Sequence, residues 1–477
     1  MLGKIKIPHV FALLTIIILV ASIFSYIIPS GSYERQEVQV GQMTRTVVVP
    51  NSFQKIPKHY SIKGVFVGDE VEGKATPVSI FGFLKAIPLG LEESADIIFF
   101  VFLIGGAFGM IKRTGTITAV IQALINKFSN SGTALTVVLM LAISAAGSTL
   151  GMGEEFIPLV PVFLYVSHKL GYDKLYGLAL VFVSAEIGFA SATTNPFNVQ
   201  IAQGIAEVPL GSGMGFRLIF YVVILIAAII YMLRYGKKLK EDFSNSYLEP
   251  DNVYKEDESL AHFDLTAKHI QIVVVSAILF VGILWAVQTQ GWWMAEMGAG
   301  FLLIGMVAAV IGRLSLNEAT KAFILGMEEM IVGALVIGFA KGIQVALVEG
   351  QIMDSIIFYT SGTLQYLPKI VAAEGMLIFQ TILNFFIPSG SGQAATTIPI
   401  MVPLADLLGI TRNTAIFAFT CGDGFANSII PTSGILMAML GIAGIPYKDW
   451  LRFILPLFGW LMAISAIFLA MAVLIEY

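Results

Sequence analysis

The stretch Ser148-Thr149-Leu150-Gly151-Met152-Gly153-Glu154-Glu155-Phe156-Ile157-Pro158 decides the fold when set beside Ser389-Gly390-Ser391-Gly392-Gln393-Ala394-Ala395-Thr396-Thr397-Ile398-Pro399. Ser148/Ser389, Gly151/Gly392 and Pro158/Pro399 share one offset of 241 residues. Working outward, Gly188-Phe189-Ala190 matches Gly424-Phe425-Ala426, and Pro196 matches Pro431. Gly204 to Pro209 matches Gly441 to Pro446, and Phe216-Arg217 resembles Leu451-Arg452. The offsets stay between 235 and 241 and the order is kept, so the chain carries an internal duplication.

Each copy places Gly, Ser and Thr inside hydrophobic sequence. Such segments do not continue a helix, because Gly costs about 1 kcal/mol and Pro about 3 kcal/mol in a helix interior. Backbone freed from helical pairing cannot face lipid; it must be buried in protein or line a wet cavity. The pair Gly147 to Glu155 and Pro388 to Thr397 therefore reads as the tips of two re-entrant helical hairpins. A second pair is Ser191-Ala192-Thr193-Thr194-Asn195-Pro196-Phe197-Asn198 and Asn427-Ser428-Ile429-Ile430-Pro431-Thr432-Ser433-Gly434. Pro removes one backbone bond and excludes the preceding residue from the helical region, which predicts two spans unwound at midplane. An ordinary Pro kink satisfied by local Ser and Thr is the plainer alternative; two copies in register favour a site.

Composition sets the solvent. Of 477 residues, 57% are hydrophobic and 13% charged, against about 25% charged in a soluble domain. Mean hydropathy is +0.83. A soluble globule cannot hide so much apolar surface, and a net charge of −4 leaves no basic footprint for nucleic acid. The reading is an all-α polytopic membrane protein whose partner is the lipid bilayer. The single cysteine, Cys421, excludes an intrachain disulfide, and the five histidines show no paired metal spacing.

The expected organisation is a first transmembrane span over 1–29, an extracytoplasmic loop over 30–92, transmembrane repeat 1 over 93–235, a cytoplasmic linker over 236–268, linking spans over 269–315 and transmembrane repeat 2 over 316–477. The apolar run from about Ile7 to Ile28 is long enough to span and follows Lys4 and Lys6, placing the N-terminus in the cytoplasm. Alternation in Gln36 to Val49 predicts a small β-hairpin cap. The linker begins beside Arg234, Lys237, Lys238 and Lys240, a basic cluster expected inside. Apolar runs number about ten to twelve by the ~20-residue criterion. Lys112-Arg113 and Glu349 close equivalent spans with opposite charge, so the repeats are read as inverted.

Carboxylates inside apolar sequence cost at least ~2.5 kcal/mol each and face a cavity or a partner. Glu154, Glu155, Glu186 and Asp423 lie in or beside the broken segments. Glu328 and Glu329 sit in another apolar stretch, with Lys341 in the next span as a candidate counter-ion. The expected substrate and ion site comprises Ser148, Thr149, Gly151, Glu154, Glu155, Glu186, Thr193, Thr194, Asn195, Asn198, Ser389, Gly390, Ser391, Gly392, Gln393, Asp423, Asn427, Ser428, Thr432 and Ser433. Lys and Arg are missing from the four broken segments. That composition suits a cationic or zwitterionic solute or a coupling Na⁺ or H⁺, with Na⁺ expected near Ser148, Asn195, Ser389 and Asn427. Hairpin N-termini are expected to meet a carboxylate. No catalytic residue, metal site or other cofactor is expected. The chain has no H-E-x-x-H, nucleophile–base motif or Walker A sequence, so a membrane enzyme or ATP-driven pump is disfavoured. A channel is disfavoured because no filter sequence repeats.

Pro388 to Asp406 and Gly422 to Gly434 resemble the YfcC family, which is grouped with the DcuC-type C4-dicarboxylate carriers in the ion transporter superfamily. The likeness extends to His9-Val10-Phe11-Ala12 and Ile28-Pro29-Ser30-Gly31. It implies paired re-entrant hairpins, inverted repeats, elevator-type alternating access, a homodimer and the bacterial inner membrane. Relatives assigned as arginine/ornithine-type antiporters point to basic amino acids, whereas the group's name points to dicarboxylates. The Ser-Asn-Thr triplets of the superfamily's dicarboxylate carriers are missing here. The expectation is a secondary transporter of amino-acid-like solutes, basic ones first, with a short organic acid coupled to Na⁺ or H⁺ as the alternative.

Overall fold

The computed structural model describes residues 10–40, 43–128, 132–248, 265–290, 292, 294–362 and 364–477. Lys4 and Lys6, which carried the expected orientation, lie outside the described residues, as does 249–264 of the expected linker.

The chain opens with α1 (Val10–Ile27), then β1 (Ser30–Ser32), β2 (Arg35–Val40), β3 (Met43–Val48) and β4 (Gln54–Ile56). β2 pairs antiparallel with β3, Gln36 opposite Val47, and β1 pairs antiparallel with β4. These strands dock on α15 (Met353–Ser361), where the Tyr33 amide donates to Asp354 Oδ2 at 2.9 Å and Phe53 stacks on Phe358 at 4.1 Å. α2 (Ile62–Phe66) completes this region.

The helical body follows: α3 (Ile80–Glu93), α4 (Ala95–Arg113), α5 (Thr116–Phe128), α6 (Gly132–Leu150), a 3₁₀ turn (Glu154–Leu159), α7 (Val160–Lys169), α8 (Lys174–Ala190), α9 (Val199–Ile205) and α10 (Met214–Glu241). Two helices intervene, α11 (Ala267–Gln290) and α12 (Met294–Gly312). Then come α13 (Leu316–Glu329), α14 (Ile331–Glu349), α15, α16 (Lys369–Asn384), α17 (Gly390–Leu408), α18 (Arg412–Ala426), α19 (Gly434–Ala443) and α20 (Tyr447–Leu474). The order recurs: α3 and α13 each have 14 residues, α4 and α14 have 19, and α10 and α20 have 28. N-caps recur with it. Ser79 and Ser315 accept the amide three residues on, and so do Asp173 and Thr411.

Among the described residues, eight helices are long and apolar enough to cross a bilayer: α1, α4, α6, α10, α11, α12, α14 and α20. This is fewer than the ten to twelve apolar runs in the sequence. The shortfall falls on α7, α8, α9, α16, α18 and α19, which the Gly, Pro and Asn segments stop short of spanning length. Apolar side chains such as Phe99, Ile219, Val281, Val310 and Ile467 remain exposed on the spans, as a hydrocarbon solvent requires.

Two long rods organise the packing. α3–α4 runs antiparallel to α13–α14 in one register. A methyl group added at Gly90 would lie 2.4 Å from the Gly338 carbonyl oxygen, and one at Gly326 would lie 2.2 Å from the Gly105 carbonyl oxygen. Backbone cannot retreat from such an atom, so these contacts need glycine. Arg113 at one end reaches Glu318 at 3.5 Å. α1 packs on α14 and α12 on α4. Elsewhere α11 packs on α12, α6 on α8, α16 on α18, α8 on α18, α7 on α19 and α9 on α17, and α19 is also seated on α14 of the rods.

Candidate functional site

The first chain reversal follows α6. Gly151 holds φ +71°, a conformation other residues avoid, and a methyl group there would lie 2.2 Å from Asn195 Oδ1. The Gly153 amide donates to Glu155 Oε2 at 2.9 Å. The second reversal joins α16 to α17, whose N-cap Ser389 accepts from the Gly392 amide at 3.3 Å.

Each helix break is braced by the neighbouring hairpin. After α8, the Thr193 and Thr194 amides donate to the Ser148 carbonyl at 3.0 and 3.2 Å, and the Ser148 and Thr193 hydroxyls bond at 3.1 Å. Asn195 Oδ1 accepts from the Phe197 amide at 2.8 Å. Asn198 caps α9 and donates to the Phe189 carbonyl at 2.8 Å. After α18, Asn384 Nδ2 donates to the Asp423 carbonyl at 2.7 Å and to Asn427 Oδ1 at 2.8 Å. Trp450 Nε1 donates to the Ser428 carbonyl at 2.9 Å.

Both reversals and both breaks open on one cavity of about 240 Å³. Of the residues expected from sequence, Gly151, Glu154, Glu155, Glu186, Ser389, Gly390, Ser391, Asn427, Thr432 and Ser433 line it. Ser148, Thr149, Thr193, Thr194, Asn195, Asn198, Gly392, Gln393, Asp423 and Ser428 do not reach its wall. Most of these build its frame: Thr149 donates to the Ala145 carbonyl at 2.7 Å, and Gln393 donates to Gln380 Oε1 at 2.7 Å. The expected Na⁺ ligands are accordingly divided, Ser148 and Asn195 in the frame and Ser389 and Asn427 at the cavity. Among the described residues, no group of three or more His, Cys, Asp and Glu could hold a metal ion.

Asp423 lies behind the wall, fully buried, with no hydrogen-bond partner on either carboxylate oxygen among the described residues. It sits under Gly390, where a methyl group would be 3.1 Å from Asp423 Oδ2. Glu186 Oε2 and Thr432 Oγ1 are likewise buried and unpartnered. Glu186 lies within electrostatic reach of Asp423 and Glu154. Buried carboxylates so placed are stable only with a proton or a cation beside them.

The opposite wall comes from the rods and α12. Glu93, Ser94, Lys341, Gln344, Met294 and Met297 close the cavity there. Lys341 is 3.5 Å from Glu93 Oε2 and donates to Gln344 Oε1 at 2.8 Å. It does not serve Glu328 or Glu329: Glu328 is exposed, and Glu329 Oε1 accepts from Lys112 at 2.8 Å, away from the cavity. Glu93 was not singled out from sequence. The signal that marks it is its place 236 residues before Glu329, at the end of the equivalent helix.

Residues 7–474 match the model of the family described as C4-dicarboxylate anaerobic carrier, DcuC. The chain belongs to this family. It is therefore a multi-pass membrane transporter, and a carrier rather than an enzyme. It is 32% identical, over 98% of its length and 97% of the other's, to the Escherichia coli K12 protein named "Putative basic amino acid antiporter YfcC". A Haemophilus influenzae protein of uncharacterised function is 30% identical over 91% of this chain and 83% of its own. Solved structures similar to it include the YdaH transporter of Alcanivorax borkumensis (16% identity, TM-score 0.46, covering 98% and 99% of the two chains). Another is MtrF of Neisseria gonorrhoeae, of a class of antimetabolite efflux pumps (17% identity, TM-score 0.43, covering 99% and 96%).

Proposed function

We propose that this family member is a secondary active transporter of small amino-acid-like solutes across the bacterial inner membrane. Transport is ion-coupled or by exchange, with basic amino acids of the arginine/ornithine type preferred. The observation that carries this reading is the charge of the cavity. Glu93, Glu154, Glu155 and Glu186 share it, with Ser389, Ser391, Asn427 and Thr432 as hydrogen-bonding groups. Four carboxylates around a small cavity attract cationic groups and repel a dianion. Asp423 and Glu186 are the candidate seats of the coupling Na⁺ or H⁺.

The architecture proposed is an inverted duplication. Equivalent rods α3–α4 and α13–α14 lie antiparallel, and two equivalent antiparallel rods are related by a two-fold axis perpendicular to both. If α4 and α14 cross the bilayer, that axis lies in its plane, which is the geometry of inverted-repeat carriers. The hairpins α6–α7 and α16–α17 are read as re-entrant. With α8–α9 and α18–α19 they form one body, and the rods with α1, α11 and α12 form the other. The cavity lies on the seam, so sliding of one body along the other would carry a solute across. The family likeness adds a homodimer, and the positive-inside rule adds a cytoplasmic N-terminus and linker, which leaves the strands an extracytoplasmic position.

The test is counterflow in proteoliposomes loaded with arginine or ornithine, with labelled arginine outside and succinate, malate and citrate run alongside. Amino-acid counterflow is expected. The family's description favours the second reading, a C4-dicarboxylate carrier; uptake of dicarboxylates and of no amino acid would establish it and overturn the first.

A further inference from the structure

Among the described residues lining the cavity, Lys341 is the one base, set against Glu93, Glu154, Glu155 and Glu186. It comes from the middle of α14, a helix otherwise apolar enough to span a membrane. A charge there is costly unless something uses it. Its known partner uses it loosely: Glu93 is 53% exposed at 3.5 Å, while the Lys341 side chain is 31% exposed. The closer contact, Gln344 Oε1 at 2.8 Å, is neutral and one turn away on the same helix. The ammonium therefore keeps donor capacity on the cavity side.

The first hairpin end cannot take its place as the receptor for an anion. The Gly153 amide is committed to Glu155 Oε2, and two carboxylates stand in the first turn that follows. At the other reversal the Gly392 amide is committed to Ser389, and the carboxylate of Asp423 lies behind Gly390. A solute carboxylate entering the cavity meets carboxylates at the first tip, a buried carboxylate behind the second, and a full positive charge only on α14.

We propose that Lys341 is the specificity-determining residue that binds the solute's carboxylate, while the acidic tip and Glu186 hold its amino or guanidino groups. The cavity then selects molecules that carry one carboxylate together with cationic nitrogen. It discriminates against decarboxylated diamines, which leave Lys341 unpaired, and against dicarboxylates, which bring a second anion to the acidic side. This inference rests on the proposed transport of basic amino acids.

The experiment is counterflow in proteoliposomes of the full chain, comparing labelled arginine with labelled agmatine, its decarboxylated analogue. The proteins are the wild type, Lys341→Gln, Lys341→Arg and Glu93→Gln. A charge-assisted hydrogen bond lost from a buried site reads as about tenfold or more. The wild type should therefore prefer arginine by about that factor, and Lys341→Gln should lose the preference. Lys341→Arg should restore it in large part, because the charge is kept. Glu93→Gln should keep it whatever its overall rate. An unchanged arginine-to-agmatine ratio in Lys341→Gln overturns the inference and leaves the proposed function standing. So does an equal collapse in Glu93→Gln, which would make the pair merely structural. A wild type that exchanges neither arginine nor ornithine overturns the proposed function itself, and the inference with it. If Lys341→Gln does not fold, competition in the wild type decides: argininamide, whose carboxyl is neutral, should compete about tenfold less well than arginine, and equal competition refutes the role.

Discussion

Asp423→Asn separates a functional carboxylate from a structural one. Asp423 is fully buried on α18, and neither of its carboxylate oxygens has a hydrogen-bond partner among the described residues. Its Oδ2 lies under Gly390, 3.1 Å from where a methyl group on that glycine would stand. A carboxylate at this depth costs at least ~2.5 kcal/mol without a counter-charge. Whatever cation neutralises it, Na⁺ or H⁺, recovers that cost on binding. At ~1.4 kcal/mol per tenfold, ~2.5 kcal/mol corresponds to about 60-fold in affinity. Asn is nearly the same shape, carries no charge and can still use its oxygen. The empty carrier with Asp423→Asn is therefore expected to melt no lower than the wild type. Its coupled transport should fall by about 60-fold at a fixed cation concentration, or require about 60-fold more cation. Melting is read by intrinsic fluorescence in detergent, and transport by counterflow against a graded cation gradient. The opposite pattern, a protein that melts several degrees lower and transports as the wild type does, would refute the reasoning and make Asp423 a structural group.

Other outcomes follow from the same geometry. Glu155→Gln is expected to abolish transport with expression near normal, since the side chain lies at the cavity; wild-type kinetics would remove it from the site. Gly326→Ala puts a methyl group 2.2 Å from the Gly105 carbonyl oxygen, and overpacking of this kind costs about 1–3 kcal/mol, to be read as a lower melting temperature. Lys85 and Lys321 are exposed, 236 residues apart, on equivalent helices α3 and α13. In Lys85→Cys and Lys321→Cys variants, a membrane-impermeant maleimide should reach them from opposite sides of the bilayer. Labelling from one side would refute the inverted repeat, and the native Cys421 is buried. Beside the strands, Ser61 Oγ donates to Asp69 Oδ2 at 2.8 Å and Lys63 Nζ donates to Asp69 Oδ1 at 3.2 Å, which holds the Asp69 carboxyl below the ordinary carboxylate range. A carboxyl depressed in the folded state stabilises above its unfolded value, about 3.9, and loses that contribution as pH falls through the lower folded value. Protection of the amides over 59–69, taken relative to the intrinsic exchange rate at each pH, should be higher at pH 5 than in stronger acid, and Asp69→Asn should abolish that difference.

The broken segments were legible because Gly and Pro act on backbone, and backbone rules do not depend on neighbours. Gly151, the Pro196 break and the Pro431 break each stand where an irregular segment meets the cavity. Hydroxyls and amides were less legible. Ser148 and Ser389 look alike in sequence, yet Ser148 braces the turn at Thr193 while Ser389 lies at the cavity. A hydroxyl that holds backbone and one that holds a solute have the same chemistry, and only packing separates them. The repeat itself needed a finer register. The motif match at 241 pairs Ser148 with Ser389, but the helical arms that follow the tips begin at Glu154 and Gly390, 236 residues apart. That is the offset of α3 from α13 and of α4 from α14. Glu93 was illegible for another reason: its partner Lys341 is distant in sequence, and no periodicity reports a contact between antiparallel rods.

In the structural register, Glu154 and Glu155 of the first tip correspond to Gly390 and Ser391 of the second. The residues that face the cavity have thus diverged between the copies, and at the tips so have those that shape backbone, Gly151 standing opposite Ile387 and Pro158 opposite Ala394. This divergence is what a carrier of an asymmetric solute requires. Two identical tips about a two-fold axis would present the same charge to both ends of a bound molecule, and could not tell a carboxylate from an amine. With acids on one tip, hydroxyl and glycine on the other, and Lys341 on the facing wall, the cavity has a fixed polarity. On the proposed function, the frame would keep the symmetry that alternating access needs, while the side chains would set one orientation for the solute. If so, placing carboxylates on the second tip should weaken that orientation before it harms the fold. Ser391 is half-buried at the start of α17, where an acidic side chain is favoured by the helix dipole. Ser391→Glu should therefore leave the melting temperature near the wild-type value and still impair arginine counterflow. A variant that transports normally would show that the asymmetry of the tips is incidental.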